Sequence, residues 1–189
     1  MKEVERKLIS ELMKNSRRSD RQLARAVGVS QPTVSRLIKK LEKQGYIREY
    51  TMIPDFRKLG YQLLGLTLVR LKRVLTPDQV EKARELTRQK LKESRFANIM
   101  FERGMGLGGD GILVTLYEDY ASYAEQKTEM KQHPFIEVTE VDSFITSLDD
   151  KVRYLPLTMS AVAEHMLKIP EKQEKQRAKK KQVTVKTDL

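Results

Sequence analysis

Residues 19–45 read SDRQLARAVGVSQPTVSRLIKKLEKQG and determine how the N-terminal part of the chain folds. Ser19 and Gln22 have the spacing of a capping box, so a helix is predicted to begin directly after Ser19. Gly28 supplies the positive φ angle that ends this helix, and Ser30 caps the next one. Two helices joined by such a short turn have the spacing of a helix-turn-helix motif.

The second helix of this stretch has one apolar face and one basic face. Four apolar side chains recur at the i, i+3, i+4, i+7 spacing of a helix that packs on a core: Val34, Leu37, Ile38 and Leu41. The opposite face carries hydroxyl and cationic groups, which bond base edges and phosphates when a helix lies in a DNA major groove. We predict DNA contacts, with Ser35, Arg36 and Lys39 nearest the bases, from Gln31, Thr33, Ser35, Arg36, Lys39, Lys40, Lys43, Arg17, Arg18, Arg21 and Arg48.

A first helix is predicted over about residues 3–14, because apolar side chains recur there at helical spacing. The three helices form either a DNA-binding unit or a bundle with an ordinary charged surface. The capping box, the glycine at the turn and the basic face together favour DNA binding. Residues 46–53 alternate as a strand does and are predicted to form a small wing that brings Arg48 near the phosphate backbone.

Charge is distributed unevenly along the 189 residues. The chain holds 37 Lys and Arg against 26 Asp and Glu, a formal net charge of +11. Residues 1–60 carry 15 basic and 7 acidic side chains, residues 61–150 carry 12 and 15, and residues 151–189 carry 10 and 4. Two basic ends around a slightly acidic middle predict that the ends meet a polyanion and that the middle has another role.

Composition argues against several kinds of site. The chain has no Cys, which excludes disulfides, thiolate zinc sites and cysteine nucleophiles, and its two His argue against a His-based metal site. No apolar run reaches the roughly 20 residues of a membrane-spanning helix. The first residues lack the apolar core of a signal peptide. We therefore expect a cytoplasmic protein without a cofactor or a membrane partner.

The middle of the chain predicts four strands and two helices in the order βαββαβ, so the fold class is α+β. The strands are expected at 61–72, 98–103, 112–117 and 135–145, and the helices at about 77–93 and 119–133. In a ferredoxin-like unit of this order, both helices cover one face of the sheet. A second copy of the chain is the economical cover for the other face, so we predict a homodimer or a larger even-numbered homo-oligomer.

The N-terminal pattern resembles the Lrp/AsnC family of transcription regulators. The resemblance rests on the ordered series Leu23-Ala24, Gly28-Val29-Ser30, Val34-Ser35-Arg36, Leu41-Glu42, Gly45-Tyr46-Ile47 and Leu59-Gly60. It covers about residues 4–148 and implies a winged helix-turn-helix followed by a domain that senses an effector and forms the dimer. By this resemblance, the chain is a sequence-specific DNA-binding transcription regulator, modulated by a small molecule such as an amino acid.

A glycine-rich segment, GMGLGGD at residues 104–110, contains the spacing GxGxxG. We reject a Rossmann nucleotide site, because that motif lies between a strand and a helix, whereas a strand follows here. The segment is predicted to be a turn over 104–111, which either only connects two strands or binds a small polar effector. The resemblance places the effector at a glycine-containing loop that ends in an Asp. The candidate effector ligands are Gly106, Gly108, Gly109 and Asp110, although Leu107 stands where the family usually has Gly.

The end of the chain adds two segments. Apolar residues at helical spacing predict an amphipathic helix over about 158–168, which we expect to dock on the sheet domain or on a dimer partner. From residue 171 onward, 7 basic and 3 acidic side chains predict a disordered tail that either contacts phosphates or only solubilises the protein. The expected domains are a winged helix-turn-helix (1–53), a linker (54–60), the βαββαβ domain (61–148), the added helix (149–170) and the tail (171–189).

Two other functions compete with that of a regulator. Haem-biosynthesis decarboxylases share the two-part architecture, but they need His and cationic residues around a tetrapyrrole. The two His of this chain, at 133 and 165, lie outside the glycine-rich turn and the core strands. A non-specific architectural DNA-binding protein would depend mainly on the basic tail and bind without sequence preference. The basic face of the second helix favours a sequence-specific regulator that is not an enzyme.

Overall fold

Capping residues and glycines fix three helices in the N-terminal part of the protein. These are α1 (Glu3–Lys14), α2 (Asp20–Val27) and α3 (Gln31–Lys43). The capping box forms as predicted, because Ser19 accepts a hydrogen bond from the Gln22 amide and the Gln22 side chain accepts one from the Ser19 amide at 2.9 Å. Gly28 follows α2 with a φ of 79°, and Ser30 accepts from the Thr33 amide at 3.4 Å to cap α3.

The structure, a computed structural model, describes residues 1–70, 75–134, 143–152 and 154–168. Two compact units are present. One combines residues 1–53 with the described residues from 154 onward, and the other contains those between 54 and 153. The chain therefore passes from one unit to the other twice. The segment expected to be a linker, 54–60, lies in the second unit and contains a short 3-10 helix, Phe56–Leu59.

The core of the first unit lies between α1, α2 and α3. Leu8, Leu23, Val34 and Leu41 are fully or almost fully buried there. Two of them belong to the apolar stripe predicted for α3, whose other members pack at the edge of the same cluster. Burial of side chains of this size stabilises by roughly 1.5–3 kcal/mol each, so the cluster holds together helices that are too short to be stable alone.

The second unit has the predicted βαββαβ order. Its elements are β1 (Leu63–Val69), α4 (Pro77–Lys92), β2 (Ala97–Gly106), β3 (Gly109–Tyr117), α5 (Tyr120–Lys131) and β4 (Ser143–Ser147). The strands lie in the order β2-β3-β1-β4, and each neighbouring pair is antiparallel. The α+β class is thereby confirmed. The parts of the predicted strands at 71–72 and 135–142 fall outside the described residues.

One face of the sheet is closed by a buried polar network. The Tyr117 hydroxyl donates to Oε1 of Gln126 on α5, and the Tyr117 ring packs edge-on against Tyr123 at 5.6 Å between centroids. Gln126 donates in turn to Oδ1 of Asn98 at 2.9 Å, and Thr115 donates to the same oxygen at 2.8 Å. Because buried polar groups cost free energy unless they are bonded, this network fixes the position of α5 on the sheet.

The turn between β2 and β3 is shorter than predicted. Only Leu107 and Gly108 lie between the strands, with φ angles of 51° and 72°, whereas Gly106 and Gly109 pair with each other. Two consecutive positive φ angles match the twist of a two-residue hairpin, so the ladder continues to the tip. The prediction of a turn over 104–111 is therefore wrong: most of that segment belongs to the two strands.

A last helix, α6 (Ser160–Lys168), packs on α1 in the first unit. Ala163 is completely buried, and its carbonyl oxygen accepts a hydrogen bond from the Ser10 hydroxyl at 3.1 Å. The Arg6 guanidinium donates to the carbonyl oxygen of Met166, near the end of the helix where the carbonyls lack helical partners. The helix was expected to dock on the sheet domain or on a dimer partner, whereas its buried face meets α1 of the same chain.

The segment after α3 also differs from the expectation. Residues 46–53 form no strand, although their sequence alternates. A strand needs a neighbour to satisfy its backbone groups, and within the described residues this segment has none. Side chains hold it instead, since Ser16 donates to the Thr51 carbonyl oxygen at 3.1 Å and the Tyr50 hydroxyl donates to Glu42 at 2.8 Å.

Candidate nucleic-acid interface and effector loop

The outward face of α3 is exposed and cationic. Arg36, Lys39 and Lys43 are exposed, and no hydrogen bond or ion pair within the described part of the chain engages their side chains. The same is true of three further exposed cations of the predicted set, Arg17, Arg21 and Arg48. Such cations give up no internal bond when they meet phosphates or base edges, so this face suits a polyanion. Gln31, which opens the helix, is exposed as well.

Four other residues of the predicted set make internal contacts. Ser35 donates to the Asp20 carboxylate, and Thr33 shares a hydrogen bond of 2.8 Å with the Ser30 hydroxyl at the start of α3. Arg18 pairs with Glu11 of α1. Lys40 donates to Oε1 of Glu5 at 2.6 Å. These side chains orient the helices, and any contact with DNA would compete with their internal partners.

The Glu5–Lys40 pair connects α1 to α3. Glu5 is 3% exposed, and it accepts a second hydrogen bond at 2.7 Å from the Lys2 amide. The hydrogen bond from Lys40 and the one from the Lys2 backbone lower the pKa of Glu5 below its ordinary value, against the opposing effect of burial. Sequence reasoning missed Glu5, because a single Glu in a helix gives no sign of being buried.

Tyr50 is held against the end of α3. Burial, followed by its hydrogen bond to Glu42, raises the pKa of Tyr50 to about 12. The phenol donates to Glu42, and this contact keeps residues 46–53 close to α3 without a β-ladder. This contact places the segment that contains Arg48 next to the helix predicted to read DNA.

The candidate effector ligands all lie at the tip of the β2–β3 hairpin. Gly106 and Gly109 are the last paired residues, Gly108 is in the turn, and Asp110 is exposed one residue further along β3. The tip of the hairpin also exposes two apolar side chains to water, Met105 of β2 at 99% exposure and Leu107 of the turn at 84%. A bulky residue with a positive φ is strained, and strain of this kind is concentrated at functional loops.

Arg70 is a further residue of the hairpin tip that the sequence did not reveal. The Nε and Nη2 atoms of its guanidinium lie 3.5 Å from the position that a Cβ of Gly108 would occupy. Glycine thus leaves room for a cation beside the turn. The strand register accounts for the position of Arg70. Val69 of β1 pairs with Gly111 of β3, so the next residue of β1 lies beside the start of β3 at the hairpin tip.

The sheet face opposite α5 is apolar and poorly covered. Leu64, Leu66 and Leu68 of β1 are only half-buried on it. Phe144 of β4, which pairs with Leu66, is 69% exposed. A contiguous apolar patch of this kind marks a binding surface. It lies on the face that the sequence analysis expects a second copy of the chain to cover.

The fold and the cationic outward face of α3 together define a protein with an N-terminal helix-turn-helix domain and a second, ferredoxin-like domain. The family model described as "Winged helix-turn-helix DNA-binding" matches residues 1–48. An uncharacterized HTH-type transcriptional regulator of Pyrococcus furiosus is 38% identical over 82 residues, which are 43% of this chain and 55% of that protein. The leucine-responsive regulatory protein of Rhizobium meliloti is 36% identical over 69 residues, 36% and 44% of the two chains. The chain spans about half the length of the curated relatives it matches.

Solved structures extend the likeness to both units. A transcriptional regulator of Neisseria meningitidis in complex with L-Met has a TM-score of 0.69 and 17% identity, with 85% of this chain and 95% of that chain covered. An AsnC family transcriptional regulator from Agrobacterium tumefaciens has a TM-score of 0.66 and 23% identity, with 82% and 97% covered. At these identities the likeness concerns the fold. The resemblance to the Lrp/AsnC regulators is confirmed, in sequence for the N-terminal part and in fold for most of the chain.

Proposed function

We propose that the protein is a sequence-specific DNA-binding transcription regulator that acts as a dimer or a larger assembly. The observation that supports this most directly is the outward face of α3. Its exposed cations, Arg36, Lys39 and Lys43, make no internal bond among the described residues, while the inward face packs on the core. A dimer would place two such helices on half-sites one or more helical turns apart, so the DNA sites should be nearly palindromic.

Footprinting on DNA upstream of the protein's own gene tests this proposal. An Arg that bonds a guanine contributes about 1–3 kcal/mol of discrimination, so Arg36→Ala should relax or abolish the sequence preference. Lys7→Ala is the matched control, because it removes one exposed cation of α1 whose partner, Glu3, is also exposed. If Arg36→Ala protects the same site with unchanged affinity, Arg36 does not read bases. Binding of equal strength to all sequences would instead indicate an architectural protein.

We propose that the half-covered apolar face of the sheet joins two copies of the chain. Phe144 and the leucines of β1 make this face self-complementary in chemistry, and burial of such surface is the main driving force of association. Sedimentation analysis of the whole protein and of Phe144→Asp tests this. A charge in the centre of an apolar interface should shift the equilibrium toward monomer, whereas Tyr154→Asp, at a 95% exposed site of the other unit, should not.

We propose that the hairpin tip binds a small zwitterion, such as an amino acid. Asp110 would accept hydrogen bonds from the ammonium group, and the amides of the turn, with Arg70 beside them, would bond the carboxylate. Titration with a panel of amino acids that includes L-Met, which occupies the Neisseria meningitidis regulator, tests the site. Asp110→Asn should abolish binding, and Glu118→Gln, at an exposed position after β3, should leave it unchanged. Equal affinity of Asp110→Asn would exclude the tip.

We propose no catalytic role and expect the protein to work in the cytoplasm. Within the described residues, no helix is both long enough and apolar enough to cross a membrane. His133 follows α5 and His165 lies in α6, so neither belongs to a strand that could line a tetrapyrrole site. Mixing the protein with haem tests the alternative of a haem-biosynthesis decarboxylase. A stoichiometric shift of the Soret band would favour the decarboxylase over the regulator.

A further inference from the structure

A cleft runs between α4 and the sheet, on the face opposite the proposed dimer contact. It has a volume of about 590 Å³ and is floored by the buried side chains of Val69 and Ala83 and by the ring of Phe101. Volumes of this size suit small organic ligands. A smaller cavity of about 100 Å³ shares Val69, Phe101 and Leu91 with it.

The sequence of α4 explains why this space stays open. The α4 residues that border the cleft recur at 80, 83, 84, 87, 88 and 91, the i, i+3, i+4 spacing of one helix face. A helix that only packs on a sheet would have apolar residues at most of these positions. Here two of the six are Arg84 and Arg88, and Ala83 is the one buried residue of the helix. The stripe therefore combines a short apolar floor with a cationic rim.

A third cation reaches the cleft from the sheet. Arg103 of β2 follows Phe101 by two residues and pairs with Gly111 of β3. The side chains of Phe101 and Arg103 therefore lie on the same face of the sheet, the one that α4 covers. No hydrogen bond or ion pair in the described part of the chain engages the Arg103 side chain, whereas Arg84 pairs with Glu81 and Arg88 with Glu85 at 3.3 Å.

Two acidic residues, Glu102 and Asp110, also line the cleft. Glu102 pairs with Ile112, and Asp110 precedes Gly111 by one residue. Side chains alternate along a strand, so both lie on the side of their strand opposite that of Phe101 and Arg103, although both still line the cleft. The cleft thus combines an apolar floor with three arginines and two carboxylates at its edge.

We propose that this cleft binds an amphipathic carboxylate, that is, a free organic acid with an apolar body such as a medium-length alkyl chain. The apolar body would lie over Val69, Ala83 and Phe101, where its burial drives binding. The carboxylate would accept hydrogen bonds from Arg103 and from Arg84, whose forked guanidinium groups match a carboxylate. The cleft adjoins the hairpin tip, because Asp110 lies beside both, and its proposed role does not depend on DNA binding.

Calorimetric titration of the full-length protein with decanoate, below its micelle concentration, tests the proposal. Decylamine and decanol have the same chain with a cationic or neutral head and should bind at least about tenfold more weakly, since a charge-assisted hydrogen bond contributes about one order of magnitude. Tight binding of decylamine would overturn the assignment of the arginines, and absence of decanoate binding would overturn the site.

Two variants locate the binding. Arg103→Gln should weaken decanoate about tenfold, whereas Lys82→Gln, which removes an exposed cation of α4 outside the cleft, should change the affinity less than about twofold. Ala83→Leu adds three carbon atoms to the floor and should abolish binding, with circular dichroism to show that the fold persists. If decanoate binds Arg103→Gln and folded Ala83→Leu as tightly as the natural protein, it binds elsewhere and the proposal fails.

Discussion

Gly65 shows how a single residue sets the packing of the second unit. A Cβ at this position would lie 2.7 Å from Cε2 of Tyr117, closer than carbon atoms approach in folded proteins. The Tyr117 ring is almost fully buried and bonded to Gln126, so it cannot move aside without breaking that hydrogen bond. Glycine in β1 therefore allows the tyrosine to close the core across the neighbouring strand.

We predict that Gly65→Ala destabilises the protein by about 1–3 kcal/mol, the usual cost of forcing an extra carbon into a packed core. Gly104→Ala is the matched control, because a Cβ at Gly104 meets no atom within 4 Å and its backbone does not require glycine. Urea denaturation measures both. Equal stability of the two variants would show that the ring of Tyr117 relaxes freely.

Glu5 gives a prediction about pH at the same scale. Its pKa is lowered in the folded state by the hydrogen bonds from Lys40 and Lys2. A group with a lowered pKa contributes stability above its unfolded pKa of about 4.3, and this contribution is lost as the pH falls through the folded value. The free energy of unfolding should therefore fall between about pH 5 and pH 3. We predict that this fall is smaller in Glu5→Gln than in the natural protein.

The control for Glu5 is an exposed acid of the same helix. Glu3 pairs with Lys7 at 2.8 Å, but it is 71% exposed, and solvent screening leaves such pairs worth little. Glu3→Gln should therefore keep the acid dependence of the natural protein. Denaturation curves at several pH values decide the matter, and identical acid dependence for Glu5→Gln and the natural protein would contradict the assigned role.

At the scale of elements, the packing partner of α6 was predicted least well from the sequence. Its amphipathic pattern predicts that one face is buried but contains no information about which surface buries it. The partner is α1, whose Arg6 and Ser10 donate to carbonyl oxygens of α6. Polar side chains on α1 thus recognise the backbone of α6, and backbone recognition leaves no complementary pattern in the sequence of α6 itself.

We predict that Ala163→Glu detaches α6 from α1. The new carboxylate would be buried without a partner, which should lower the unfolding free energy by about 2 kcal/mol. Ala161→Glu makes the same change at an exposed site of the same helix and should cost much less. Hydrogen exchange at α6 amides, together with thermal unfolding, distinguishes the two. Equal protection of α6 in both variants would mean that the contact with α1 contributes little.

Local signals account for the elements that the sequence did predict. Ser19, Gln22 and Gly28 determine the ends of α2 within a few residues, and the structure follows them. The hairpin tip failed as a prediction because Leu107 adopts a positive φ that leucine disfavours, and only strand pairing imposes it. Residues 46–53 failed for the opposite reason, since their alternation has no neighbouring strand to pair with. Both failures concern strand pairing at a particular place in the chain, which local pattern alone does not determine.

At the scale of the whole molecule, the division of charge follows the division of structure. The unit that contains α3 includes the basic first segment of the chain and also α6. The second unit takes the slightly acidic middle, whose proposed ligands are small molecules and a second copy of the chain. Because the chain crosses between the units twice, before Pro54 and before Tyr154, a change in one unit has two covalent routes to the other. Differential binding of an effector would act through these connections.

The basic segment from residue 171 onward completes this view of the charge. It carries 7 Lys and Arg against 3 Asp and Glu, and each phosphate it neutralises adds about 0.9 to the slope of affinity against salt concentration on logarithmic axes. We predict that Gln in place of Arg177, Lys179, Lys180 and Lys181 weakens binding to all DNA sequences by a similar factor and lowers this slope by about 1–4. Sequence preference should stay unchanged, because we propose that α3 reads the bases.

Ser in place of Gln173, Gln176 and Gln182 is the control for this tail, since it alters the same segment without changing its charge. Titrations of specific and unrelated DNA at several salt concentrations measure both quantities. A basic variant that keeps the natural slope would show that the tail only keeps the protein in solution. If the basic variant instead loses affinity only for the specific site, the tail contacts the bases, a role that we propose for α3.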